Sequence, residues 1–257
     1  MVQVIPAQNI TLAYLKENFS LEKSEDEQFF TEWFDSLPEI SELEKQYLDR
    51  VKSNYLSLFE TTPLLEEAVK MVVLSPLLDL AGFYRYPFHI ATEESIEISE
   101  TIIINFEESV ETAKEIIKGK IDVLVIQNKL WTLIIKFNRS SFSLAKAIPQ
   151  ALTYMIAAPT SDYPVYSLIM NGEDFQFIKL IKQNKAVIYA LSDRFSLYRR
   201  ENELYEVLQI LMKLGKIVWQ HPTFLHVIAN ETKWSEAIAK SPTNNKPMRL
   251  LRRSSSQ

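Results

Sequence analysis

The chain contains no cysteine, which removes disulfides, thiolate metal sites and cysteine nucleophiles together. Glycine is almost as scarce, with four in 257 residues, at positions 82, 119, 172 and 215. A loop that cradles phosphate needs several glycines close together, so P-loop and dinucleotide-binding folds are set aside and no nucleotide is expected as a ligand. An excess of basic charge is also missing. Lys and Arg number 28 against 33 Asp and Glu, for a formal net charge of −5, so any contact with nucleic acid requires a local basic patch. The three histidines, His89, His221 and His226, are scattered, and Pro222 separates the last two. That spacing does not build a two-histidine helix face, and structural or surface roles are expected for all three.

Long hydrophobic runs are absent as well. The most apolar segment, Val69 to Leu80, is broken by Lys70, Ser75, Pro76 and Asp79 and falls short of the ~20 residues a bilayer requires. The start, MVQVIPAQNITL, lacks the basic region and apolar run of a secretory signal. The expectation is a soluble, cytoplasmic protein without a membrane partner. What the chain does have is 47% hydrophobic residues and 24% charged ones, enough for one domain with a substantial core and a helical extension.

Periodicity divides it into three stretches. Residues 1–62 read as a helical N-terminal portion packed on the main domain. Ser24 opens SEDEQFFTEWFDSL, with acids first and Phe29, Phe30, Trp33 and Phe34 on an apolar side. Ser41 and Glu44 form a capping box for a long helix that carries Leu48, Val51 and Tyr55. Residues 63–217 form the core. A helix from Pro63 is divided by Pro76 and closed by Gly82. Strands follow over 94–106, and then EESVETAKEIIKGK, charged and without alternation, reads as a short helix or an inserted loop.

A hairpin over 121–139 turns at Asn128-Lys129. Ser143 N-caps a helix to Ala158 with Pro149 in its first turns, and PVYSLIMNGEDFQFIKLI is a hairpin with a type I′ turn at Asn171-Gly172. AVIYAL is a further strand, and ENELYEVLQILMKLG is a helix ending at Gly215. This order, helices, three strands, helix, three strands, helix, argues for an α/β fold with a mixed central sheet flanked by helices. Residues 218–257 form a C-terminal extension, with disorder expected from about 240 on compositional grounds. Its Arg249, Arg252 and Arg253 read as a solvated tail, with contact to an acidic partner as the alternative.

Asp122 is the residue that calls for chemistry. It directly precedes the apolar run Val123 to Ile126, and a carboxylate at the mouth of a buried strand needs a cation or several donors. Lys136 and Asn138 share one face of the next strand, and the hairpin brings that strand's end back beside Asp122.

An aspartate, a hairpin and two polar residues at i and i+2 resemble the layout of the PD-(D/E)XK restriction-endonuclease-like superfamily, whose pattern is Asp…(Asp/Glu)-x-Lys. Asp122 matches the aspartate. Gln150 and Tyr154 match a Gln-x-x-x-Tyr on the following helix, and Glu66 and Lys70 before LSPLLDLAGF resemble the opening helix of type I restriction enzyme R-subunit nuclease domains. GKIDVLVIQNKLWTLII, FSLAKAIPQALTYM and LIMNGEDFQFIKLI resemble short bacterial proteins described as restriction endonuclease subunit R-like. The resemblance spans roughly residues 1–215. It implies a restriction-endonuclease-like sheet, with Asp122 and Glu66 as the ligands of any Mg²⁺. It also implies that Asp122, Lys136, Asn138, Gln150 and Tyr154 occupy the positions of the family site.

The chain departs from the pattern where the chemistry is heaviest. Lys136 stands in the glutamate's place and Asn138 in the lysine's. An ammonium where Mg²⁺ needs an anionic oxygen opposes the metal, and an amide cannot act as the lysine does. Lys136 is therefore expected to neutralise Asp122 or Glu66. Residues 143–157 hold no acid that could replace the glutamate, and nothing in the spacing favours Glu111 or Glu115.

The leading expectation is a catalytically degenerate protein with a DNA-binding or assembly role. Its partners would be DNA, other restriction-system subunits or assembly subunits, and no cofactor is expected. The alternatives are an active Mg²⁺-dependent DNA endonuclease of the R-subunit kind and a scaffold on a nuclease fold. Elsewhere, Trp131, Trp219 and Trp234 read as packing residues. Lys179, Lys182, Lys185, Arg194, Arg199 and Arg200 read as a solvated face, with a weak basic rim as the alternative.

Overall fold

The structure, a computed structural model, describes residues 2–61, 65–106, 109–127, 130–137, 143–159, 163–183 and 186–219. The strands are β1 (Val2–Pro6), β2 (Leu21–Lys23), β3 (Phe88–Phe106), β4 (Ser109–Gln127), β5 (Leu130–Phe137), β6 (Val165–Met170), β7 (Asp174–Gln183) and β8 (Ala186–Ser196). They form one mixed sheet in the order β1-β4-β5-β6-β7-β8-β2, with β3 also paired to β4. The helices are α1 (Leu12–Phe19), α2 (Glu42–Thr61), α3 (Glu66–Val69), α4 (Ser75–Leu80), α5 (Ile148–Ala157) and α6 (Leu204–Trp219). The fold is thus α/β, with a mixed multi-strand sheet flanked by helices. Among the described residues no helix is long and apolar enough to cross a membrane.

Each sheet face buries its own core. On one, α2, α3, α4 and α6 contribute Tyr55, Val69, Leu77 and Leu211 against Val125, Leu133, Ile135 and Phe177. On the other, Leu15 of α1 and Ala151, Leu152 and Met155 of α5 cover Ile117, Leu124, Ile134 and Ile178. Each fully buried aliphatic side chain contributes about 1.5–3 kcal/mol through the area it removes from water. The parallel pair β5 and β6 is joined through α5, as parallel neighbours require a crossover.

Local signals act as their chemistry dictates. Ser41 and Glu44 cap α2 reciprocally: Glu44 Oε2 accepts the Ser41 N–H at 2.6 Å, and Ser41 Oγ accepts the Glu44 N–H at 3.3 Å. Gly82, with φ of 83°, closes α4 through Gly82 N–H to Asp79 O and Phe83 N–H to Leu78 O. Pro76 does not break its helix. A π-turn over Lys70–Leu74 precedes it, and proline at the second position of α4 needs no N–H partner.

Five further expectations are corrected. Residues 1–62 are not wholly helical, because β1 and β2 join the sheet as parallel partners of β4 and β8. Residues 24–37 form turns and a short 3₁₀ helix at Thr31–Trp33. There the Phe29 carbonyl and Glu32 carboxylate are taken by Lys179 of β7, and Phe30 lies flat in the core.

Residues 109–119 lie in β4, neither helix nor loop, because backbone pairing with both β3 and β1 outweighs their charged composition. Finally, α6 runs through Gly215, where a Cβ would meet Phe83 Cε1 at 3.2 Å; the glycine serves close packing. The β6–β7 turn also differs in type. Positive φ falls on Gly172 alone, at 96°, and Asn171 Oδ1 accepts the N–H groups of Glu173 and Asp174, the pattern of Gly at the first central position of a type II′ turn.

Candidate functional site

β4 has one edge fully occupied by β3. Its other edge is shared, with β1 along Lys114–Lys118 and β5 along Val123–Gln127. Between them, along residues 119–122, this edge carries no ladder pairing among the described residues, and the candidate site forms in that gap.

The pleat also changes there. Residues two apart on a regular strand share a face. Ile117 and Ile121 pack beneath α5, whereas Val123 and Val125, of the same parity, pack on the opposite face with α6. On β3, Ile96 belongs with the α5 side and Ile90 with the other. The ladder turns over at the opposed pair Glu93 and Asp122, and Glu93 has φ of 59°, an unusual conformation for a residue with a side chain.

Charged groups converge on this break. Lys136 Nζ lies 2.7 Å from Asp122 Oδ2, with the side chains only 15% and 12% exposed, and the Phe137 N–H donates to the same oxygen at 2.8 Å. Lys70, in the π-turn, reaches Glu66 Oε1 at 2.6 Å and Glu93 Oε1 at 4.0 Å. Lys120 pairs with Glu93 Oε2 at 2.7 Å. Burial opposes charge on Lys70, but its bond to Glu66 and the nearby charges of Asp122, Glu66 and Glu93 raise its pKa. The hydrogen bond from Lys120 holds the Glu93 carboxyl below the usual range, against a smaller opposing effect of burial. Three carboxylates and three ammonium groups thus balance one another.

Behind Asp122, Gln150 Nε2 donates to Tyr154 Oη at 2.5 Å. Burial, aided by the Asp122 charge, raises the Tyr154 phenol pKa against the opposing effects of its Gln150 bond and of the nearby Lys120 backbone. Gln150 and Tyr154 therefore fasten α5 to the stretch of β4 that lies between its pairings with β1 and β5.

The residues expected around Asp122 are brought together: Lys136 directly, and Glu66 through Lys70. Asn138 and Arg139 lie outside the described residues. Glu115 accepts a hydrogen bond from Tyr14 Oη at 2.6 Å, which ties it to α1. Glu93 and Lys120 were not singled out by the sequence; the opposition of Glu93 to Asp122 appears only once β3 is registered on β4. Mg²⁺, implied by the family resemblance, requires carboxylate oxygens around one point. Here the engaged oxygens of Asp122 and Glu66 each face a lysine, and the side chain at 136 brings an ammonium and not a further anionic oxygen, so the arrangement does not fit a divalent cation.

The basic rim is reduced by the fold. Lys179 Nζ bonds Phe29 O at 2.7 Å and Glu32 Oε1 at 2.5 Å, while Tyr166 Oη donates to that same carboxylate. Lys182 Nζ caps the end of α5 at Ile156 O and Ala158 O, each at 2.7 Å. Both lysines serve structure. Lys185, His221, His226, Trp234 and the tail arginines lie outside the described residues; His89 is exposed on β3 and Trp131 packs on the α5 side. In comparison with known proteins, the chain matches no family model and no curated protein.

Proposed function

We propose that the chain is a catalytically degenerate restriction-endonuclease-like protein acting in DNA binding or assembly. The observation that carries this reading is the Lys136–Asp122 pair at 2.7 Å. An ammonium occupies the position where a nuclease of this kind would need a metal-binding carboxylate, and it takes up the aspartate beside it. The succession α3–α4, β3-β4-β5, α5, β6 with β5 and β6 parallel supports a restriction-endonuclease-like core. So does the placement of Gln150 and Tyr154 behind Asp122. The inward engagement of Lys179 and Lys182 favours assembly over DNA binding, because two cations of the proposed rim are consumed internally.

The test is direct. The purified protein is incubated with plasmid and single-stranded DNA plus Mn²⁺, beside an Asp122→Ala control. No aspartate-dependent cleavage is expected, and its appearance would overturn the reading in favour of an active endonuclease. A salt-titrated DNA mobility shift separates the remaining roles, since binding through phosphates weakens steeply with salt.

A further inference from the structure

A second surface, built on the β6–β7 turn, joins exposed aromatic rings to carboxylates that make no ion pair among the described residues. Tyr55 of α2 is buried, and its ring stacks on Phe59 one helical turn later, with centroids 6.2 Å apart and planes at 19°. Phe59 meets Tyr198 edge-on at 6.3 Å and 75°. Phe59 and Tyr198 remain 42% and 54% exposed, so this aromatic row starts in the core and ends in solvent. Tyr55 Oη lies 3.4 Å from where a Cβ on Gly172 would be, which sets the row against the turn.

The turn presents Glu173 and Asp174. Its backbone is rigid: Asn171 Oδ1 holds both N–H groups, at 3.0 and 2.8 Å, and the Leu197 N–H donates to Glu173 O at 2.8 Å. Burial, and then the charges of the neighbouring Glu173 and Asp174 carboxylates, raise the Tyr198 phenol pKa. Among the described residues no Lys or Arg makes an ion pair with Glu173 or Asp174, while nearby Arg199 is directed to Glu203 at 3.6 Å. Burial, and then the Asp174 charge, raise the Glu173 carboxyl above its usual range, as expected for two neighbouring anions with no counter-charge.

Two carboxylates without an ion pair among the described residues, set beside exposed aromatic rings, complement one type of side chain. A guanidinium is planar, stacks on aromatic rings and forks to carboxylates. We propose that Phe59, Tyr198, Glu173 and Asp174 form a docking surface for an arginine of a partner protein. The arginine stacks on the exposed ring and directs its N–H groups to the carboxylates. This surface stands independently of the cluster at Asp122.

The test uses the full chain and a fluorescein-labelled peptide of leucine and arginine, with companion peptides in which lysine or citrulline replaces arginine. Saturable binding of the arginine peptide is expected. Tyr198→Ala should weaken it at least about fivefold, as loss of a cation–π contact predicts. Glu173→Gln with Asp174→Asn should weaken it at least about tenfold, as for charge-assisted bonds. Lysine should bind more weakly and citrulline should not bind. Tyr198 and Asp174 are solvent-accessible, and an unchanged circular dichroism melt checks that the variants fold. Failure of the arginine peptide to saturate, equal binding of citrulline, or binding unaffected by both variants overturns the proposal.

Discussion

A Cβ placed on Gly119 would lie 2.6 Å from Cε1 of Tyr154 and 2.8 Å from the Cβ of Ala7. The tyrosine ring of α5 therefore rests on bare backbone of β4, at the step where β1 has ended and β5 has not begun. That contact lets Tyr154 reach the Lys120 backbone and sets α5 beside Asp122. Gly119→Ala should destabilise the fold by about 1–3 kcal/mol, the usual cost of overpacking a tight site, read as a lowered urea midpoint. An unchanged midpoint would show that Tyr154 has room to withdraw.

Removing the ammonium from Lys136 leaves Asp122 largely out of water with the Phe137 N–H as its remaining donor. Lys136→Met should cost about 2–4 kcal/mol, as for one partner of a poorly solvated pair. The double variant with Asp122→Asn should recover at least about 1 kcal/mol of that loss, because the uncompensated charge is gone. Strictly additive losses in urea denaturation would mean that the pair contributes no coupling.

Converting the pair to the family pattern is the complementary experiment. Lys136→Glu with Asn138→Lys places a third carboxylate near Asp122 and Glu66. Millimolar Mn²⁺ should then raise the melting temperature of the variant by several degrees and leave the unaltered protein unmoved, since a ligand bound only by the folded state stabilises it by mass action. Calorimetry should register micromolar affinity in the variant alone. If neither method detects Mn²⁺ binding, these two substitutions do not suffice to build a metal site beside Asp122.

Acid sensitivity should pass in part through α2 and α6. Asp49 accepts from Tyr205 Oη at 2.7 Å and Asn202 Nδ2 at 2.9 Å. These bonds, against a smaller effect of burial and with help from Lys52, lower its pKa below the ordinary 3.8. A carboxyl depressed in the folded state adds stability above its unfolded pKa, and that stability is lost as pH falls through the folded value. Tyr205→Phe should therefore reduce stability at neutral pH and flatten its decline below about pH 4. Parallel stability–pH curves for the two proteins would rule this linkage out.

Much of this was legible in short stretches. The capping box at Ser41 and Glu44, the helix end at Gly82 and the return of the β5 end towards Asp122 follow from spacings of a few residues. That Lys136 itself faces Asp122 depends on a register shift between Val125 and Ile126, which the spacing does not show. The resemblance in motif order led to the same cluster. Less legible were β1, β2 and the first half of β4. Short or charged strands carry weak local preference, and their pairing is decided by edges supplied from far away in the chain. Lys179 and Lys182 looked like a solvated face because period alone does not show that a carboxylate or a helix end lies beneath a strand. Gly215 looked like a helix stop until Phe83 packed against it.

By itself the sequence determined much of the alternation of helices and strands, the turn and cap positions, and the presence of a lysine and an asparagine at 136 and 138. Each of these depends on neighbours within one turn or one hairpin. The tertiary structure decided that β3 and β4 turn over at Glu93 and Asp122, that Lys70 and Lys120 complete the charge balance there, and that Gly119 makes room for Tyr154. Those relations join residues tens of positions apart, so they arise only when the sheet closes and buried groups must find their partners.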